Sequence, residues 1–285
     1  MGGFNRAVSS GSVPLAEAIG QTWIIAYKEA TEPLEQALTQ AGFTCGVLRQ
    51  QDHPEYAAYA SAYRCLLNHQ QAWQRAAQSS QPTLIVEADF VPVRHIGQLP
   101  LPFPLQQPNV GIAWLYTCAP QLYSVSPEGF GEGYSTALVA YIVTPQGAQQ
   151  LCELVDHITQ RHGTQYNCFD SEIDRFLRDR QLKNYIAFRN YGEHGGIPNP
   201  EHRRNGMSGI HRADVLYGEL AFMPAYAAAA PDQHLTLLRS RLHARIKGIA
   251  RLLVGKFLRL KILRRSSAPK RLLGFALGRQ FSLYL

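Results

Sequence analysis

The chain has 285 residues, 46% of them hydrophobic and 17% charged, and a net charge of +7. Those fractions exclude wholesale disorder. With no uninterrupted apolar run of about 18 residues, a membrane-spanning helix is excluded as well. Charge is unevenly placed: from Leu235 onward there are 13 Lys and Arg and no Asp or Glu, whereas the preceding part carries 15 basic against 21 acidic residues. The length suits one large α/β domain with an appendage. We therefore expect a loose lead-in over 1–20, a main domain over 21–230 and a basic tail over 231–285. Five cysteines form no C-x-x-C pair and read as reduced thiols of a cytosolic protein. The Gly/Ser-rich start lacks the apolar stretch of a secretory signal.

In chain order, Thr22 to Tyr27 is the first strand, Glu32 to Ala41 a helix stopped at Gly42, and Phe43 to Leu48 the second strand. This β-α-β opening implies parallel pairing. Tyr56, Tyr59, Tyr63, Leu66, Leu67 and Trp73 keep a helical period over 54–78, ended by Ser79 to Pro82. Leu84, Ile85 and Val86 then form an apolar strand that ends in Glu87-Ala88-Asp89. Carboxylates at the carboxyl end of such a strand suit a cation and phosphate site; the plainer alternative is a solvated acidic turn. His69, on the helix before, suits either a ligand contact or a hydrogen-bonded structural role.

Val110 to Tyr116 and Ala137 to Val143 are further strands. Between them, Ser124 to Tyr134 carries three glycines, which suits a mobile covering loop or a plain surface connection. Thr144 and Pro145 cap the next helix, over about 148–158. Asp170, Glu172 and Asp174 cluster before and within another helix, with Asp170 in N-cap position. Tyr185 to Phe188 is a last strand, followed by irregular chain with three histidines and three arginines over 191–212, among them His194, Arg203, Arg204 and His211.

Taken together, the Cys65-x-x-x-His69-x-x-x-Trp73 helix, the Glu87-Ala88-Asp89 strand end, the Ala140-Tyr141-x-x-Thr144-x-x-Gly147-Ala148 segment and Asp174-Arg175-Phe176-Leu177 resemble glycosyltransferase family 25, a group of lipopolysaccharide-biosynthesis enzymes. The resemblance covers roughly 22–225 and departs from the family at Asn68 and Ala88, where serine and a middle acid are usual. It implies a GT-A-like, Rossmann-type α/β sandwich with a mainly parallel sheet. It also implies a nucleotide-sugar donor and a divalent cation, Mn²⁺ or Mg²⁺, at the acidic motif. In that light Asp89 and Glu87 are expected to hold the cation with His211, for which His194 is the other candidate. Glu87, Asp89, His69, Arg203 and Arg204 are expected around the nucleotide. Asp174 is expected as the acceptor-side base, with a glycan or glycolipid as acceptor. A non-catalytic nucleotide-sugar or glycan-binding protein at a membrane surface is the alternative, motivated by Ala88.

In the tail, Leu237, Leu238, Leu242, Ile246, Ile249, Leu252, Leu253, Phe257, Leu260 and Leu263 recur at helical spacing with Arg and Lys mostly between them. A basic amphipathic helix without acids suits an anionic membrane surface; a helix packed on the main domain is the plainer alternative, which accounts for the apolar face but not for the missing acids. Peripheral attachment on the cytoplasmic side is therefore expected, and the acidic body argues against nucleic acid.

Overall fold

The computed structural model describes residues 13–118, 120–197, 204–205, 211–255, 258 and 260–281. Its strands are β1 (Gln21–Ala26), β2 (Cys45–Arg49), β3 (Thr83–Glu87), β4 (Phe90–Pro92), β5 (Val110–Trp114), β6 (Gln121–Val125), β7 (Gly131–Tyr134), β8 (Ala140–Val143), β9 (Lys183–Ile186) and β10 (Gly192–His194). Eight of them form one sheet in the order β2-β1-β3-β8-β5-β9-β7-β6, and β4 pairs separately with β10. β1 is parallel to both β2 and β3, β5 is parallel to β9, and β8 lies antiparallel between β3 and β5. β7 opposes β9 and β6, so only β8 and β7 run against the common direction. This is the expected α/β class with a mainly parallel central sheet, followed by a helical C-terminal region.

Alternation along the strands builds two cores. On one face Ile85, Trp114, Tyr141 and Val143 pack under α3 (Ser61–Ala77), α4 (Pro145–His162) and α5 (Asp170–Asp179). On the other, Ile24, Leu84, Val86 and Ile142 meet Leu15 of α1 (Leu15–Ala18) and Leu34 and Leu38 of α2 (Glu32–Gln40). The described part of the lead-in is thus packed, with Leu15 fully buried. The helical pattern over 54–78 divides: Pro54–Ala58 is a 3₁₀ turn, and extended Tyr59 and Ala60 precede α3.

Glycine explains one difference from the sequence reading. Ser124 to Tyr134 is the β6–β7 hairpin, not a covering loop. A Cβ at Gly133 would stand 2.3 Å from the Gln121 carbonyl, and one at Gly131 2.7 Å from the Phe275 ring. Here glycine serves close approach, and only Gly129, at φ +95°, serves the turn.

α4 starts as expected, with the Thr144 hydroxyl accepting from the Gly147 N–H at 3.0 Å and donating to the Val110 carbonyl at 2.6 Å. Gly147 itself lies on the β5 backbone: a Cβ there would be 2.0 Å from the Gly111 carbonyl oxygen. Gly147→Ala therefore gains about 1 kcal/mol of helix propensity but forces backbone apart at an overpacking cost of about 3 kcal/mol. A net loss of about 2 kcal/mol in a urea titration is the expected outcome.

After α6 (Ala225–Ala228) come α7 (Gln233–Leu253), α8 (Leu260–Arg265) and α9 (Pro269–Phe281). α9 puts Leu272, Phe275 and Ala276 into the same core as Trp114 and Tyr141. The tail marked off by its charge is physically continuous with the body.

Candidate functional site

Strand parity decides where Glu87 goes. In β3, Ile85 faces the α3 side of the sheet, and Glu87 is next on that side, where it meets His69 of α3 at 3.3 Å. His69 is wholly buried, and its Nδ1 lies 2.9 Å from the Tyr141 hydroxyl, which accepts from Trp73 Nε1 at 2.7 Å. With Tyr141 donating to Nδ1, Nε2 carries the proton that holds Glu87. The helix and strand motifs thus converge: Tyr141, on a strand of its own, ties His69 and Trp73 into one support behind Glu87. In this position His69 steadies a carboxylate from the protein side.

Ala88 points the other way. It packs against the core under α1 and α2, and its N–H donates to the Ile25 carbonyl at 2.8 Å. An acid there would enter an apolar core on the face opposite Glu87.

Asp89 is fixed by the small β4–β10 sheet, which pairs His194 with Phe90, the residue after Asp89. The Gly195 N–H donates to the Asp89 carbonyl at 2.7 Å, and a Cβ at Gly196 would lie 2.2 Å from Asp89 Oδ2. Two glycines let this loop close on the carboxylate, and His194 Nε2 reaches Asp89 Oδ2 at 2.9 Å. Burial opposes charge on that ring, but the charge and hydrogen bond of Asp89, with Glu87 behind, raise His194 to about 9. Arg212 braces the loop, donating to the carbonyls of His194 (2.9 Å), His211 (3.0 Å) and Gly196 (3.0 Å).

Ligand atoms of Glu87, Asp89 and His194 lie within 4.8 Å of one another. Asp89 Oδ1 is buried without a hydrogen-bond partner, as is the Tyr116 hydroxyl, whose ring centroid is 6.1 Å from that of His194. Two carboxylates, one of them with a buried unpartnered oxygen, fit a divalent cation, and the His194 imidazole would join them as an N donor once the cation displaces the proton on Nε2.

His194, not His211, completes this group among the described residues. The contact His211 makes here is through its carbonyl, which faces His194 Nδ1 at 3.3 Å. Arg203 lies outside the described residues, and Arg204 is exposed. Asp174 is buried and occupied: Asn184 donates to it at 2.9 Å, Arg178 at 3.0 Å and Tyr123 at 3.4 Å. Asp170 is the acid of α5 that shares the field of Glu87. It is the first residue of the helix, not its N-cap, and burial, then the Glu87 charge, push its carboxyl up to about 7. The sequence signals for these residues are Gly195-Gly196 after His194, and Asp170 one helical turn before Asp174.

No family model matches this chain, and no curated protein matches it. The resemblance to family 25 therefore rests on its motifs alone. Among solved structures, a glycosyltransferase involved in the glycosylation of the major capsid of PBCV-1 aligns with 58% of this chain and 80% of its own, at 10% identity and a TM-score of 0.38. At that TM-score the likeness decides neither fold nor activity.

Proposed function

We propose that this protein is a glycosyltransferase that moves a sugar, of hexose type, from a nucleotide-sugar donor to a glycan or lipid-linked acceptor of lipopolysaccharide type. The observation that carries this reading is the convergence of Glu87, Asp89 and His194 at the carboxyl end of β3, backed by a buried support built from the family-like motifs. Glu87, Asp89 and His194 would hold the cation, and its N donor favours Mn²⁺ over Mg²⁺. When bound, a cation supplies charge neutralisation to the departing nucleoside diphosphate. The chain's own groups do the rest: His69 and Tyr141 orient Glu87, and Arg212 keeps the His194 loop against Asp89. Asp170, partly buried and titrating near neutrality, suits removal of the acceptor proton better than the occupied Asp174.

Ala88 gives little support to the non-catalytic alternative, because its side chain belongs to the opposite face. Calorimetric titration of UDP-, GDP- and CMP-sugars, each with and without Mn²⁺, tests the proposal. One donor is expected to bind and turn over slowly with Mn²⁺ alone. Binding without turnover, even with acceptor glycans supplied, favours the alternative, and silence across the panel removes both. With such an acceptor the protein would work at the cytoplasmic face of a membrane. Among the described residues no helix is long and apolar enough to cross one.

A further inference from the structure

α7 is amphipathic in the inverted sense. Its buried residues are Ala244 and Gly248, and Gly248 abuts Asp214 and Gln280. From the same side Arg241 reaches buried Glu193 and the Ala213 carbonyl, and Arg251 reaches the Cys118 carbonyl. Leu238, Leu242, Ile246 and Leu253 are instead 64, 58, 58 and 78% exposed, with Leu235 also exposed and Ile249 partly so. Steps of three and four residues place all six on one stripe. Exposed Arg239, His243 and Lys247 flank it. A globular helix normally buries its large apolar residues, and a contiguous exposed stripe marks a contact surface.

We propose that this outward stripe of α7 docks the protein on an anionic lipid surface. The leucines and Ile246 enter the boundary between headgroups and acyl chains, and Arg239, His243 and Lys247 lie among the headgroup phosphates. Charge selects this occupant. A second copy would bring the same acid-free helix against the first, so Arg239 and Lys247 would meet like charges, whereas anionic headgroups complement both. The surface is separate from the cation site, and a binding assay can fail or succeed whatever becomes of the transferase reading.

The test is flotation of the full chain with vesicles of equimolar phosphatidylcholine and phosphatidylglycerol, against phosphatidylcholine alone. Binding to the anionic vesicles only is expected, and it should weaken when salt rises from about 0.05 to about 0.5 M. The variant Leu238→Ser/Leu242→Ser/Ile246→Ser changes exposed positions only and should keep its melting temperature while its partition falls at least about tenfold. Leu242→Trp should blue-shift its emission on anionic vesicles. Equal partition of wild type and triple variant overturns the proposal, as does failure of the wild type to bind anionic vesicles. A wild-type dimer that the triple variant converts to monomer, without lipid binding, assigns the stripe to a second copy and overturns it too.

Discussion

Arg279→Met is expected to destabilise the protein by about 3–5 kcal/mol, because it leaves a buried carboxylate without its counter-ion. Arg279 and Asp214 are both buried. The guanidinium donates to Asp214 Oδ1 at 2.6 Å and Oδ2 at 3.4 Å, to the Thr117 hydroxyl at 2.9 Å, and to the carbonyls of Ala187 and Phe188 at 2.7 Å each. Asn190 and Gln280 donate to the same carboxylate. Removing the cation strands one charge and at least three acceptors in low dielectric. Asp214→Asn in that background should recover most of the loss in urea titrations, since it removes the stranded charge.

The pH dependence checks the cause. Burial opposes ionisation of Asp214, but Arg279 and the hydrogen bonds outweigh it and hold the carboxyl below its usual range. A depressed folded value contributes stability above the unfolded value of about 3.9, lost as pH falls through the folded value. In Arg279→Met the buried acid prefers its neutral form, so acidification should relieve the variant while it weakens the wild type. Parallel pH curves for the two would remove the ion pair as the cause.

The same pair explains part of what the sequence left ambiguous in the tail. Its basic bias has two origins. Arg241 and Arg279 point inward and neutralise Glu193 and Asp214, which accounts for some of the acid excess of the body. Arg239 and Lys247 point outward. Periodicity picked out the apolar stripe of α7 together with Leu237 and Leu252, the second of which packs against the core, and it carries no sign: it cannot tell which side of a helix meets the protein. That side was set by Ala244, Gly248 and the buried acids, partners supplied by residues 193 and 214.

In the sheet, legibility followed continuity. β1, β3 and β8 are runs of apolar β-formers, and α4 announces itself through Thr144-Pro145. β7 was hidden, because close contact at Gly131 and Gly133 demanded glycine where strand propensity expects branched residues. β4 and β10 were hidden for another reason: each has three residues and is defined only by its distant partner. That pairing brings His194 to the Asp89 carboxylate. Likewise, spacing recorded His69, Trp73 and Tyr141 without showing that one hydroxyl joins them.

Asp89→Asn is expected to lower Mn²⁺-dependent transfer or donor hydrolysis by about 10²–10³-fold, with Mn²⁺ affinity falling at least about tenfold. Some stability should go with the His194–Asp89 ion pair at 2.9 Å, while the Asp89 carbonyl contact with Gly195 is unaffected, so a melting curve confirms that the variant compared is folded. The large effect follows from the donor set. Asp89 supplies a carboxylate oxygen that is buried yet unpartnered, and asparagine at the same place offers a neutral oxygen or an N–H that repels a cation. Histidine variants then separate the two ligand sets. His194→Ala should weaken Mn²⁺ binding, because its Nε2 stands at the Asp89 carboxylate. His211→Ala should leave it unchanged, because the ligand atoms gathered at Glu87 and Asp89 among the described residues come from His194. The reverse result would return the ligand to His211 and make the His194–Asp89 pair a structural clasp. Unaltered Mn²⁺ binding in Asp89→Asn would remove the acidic strand end from the site altogether.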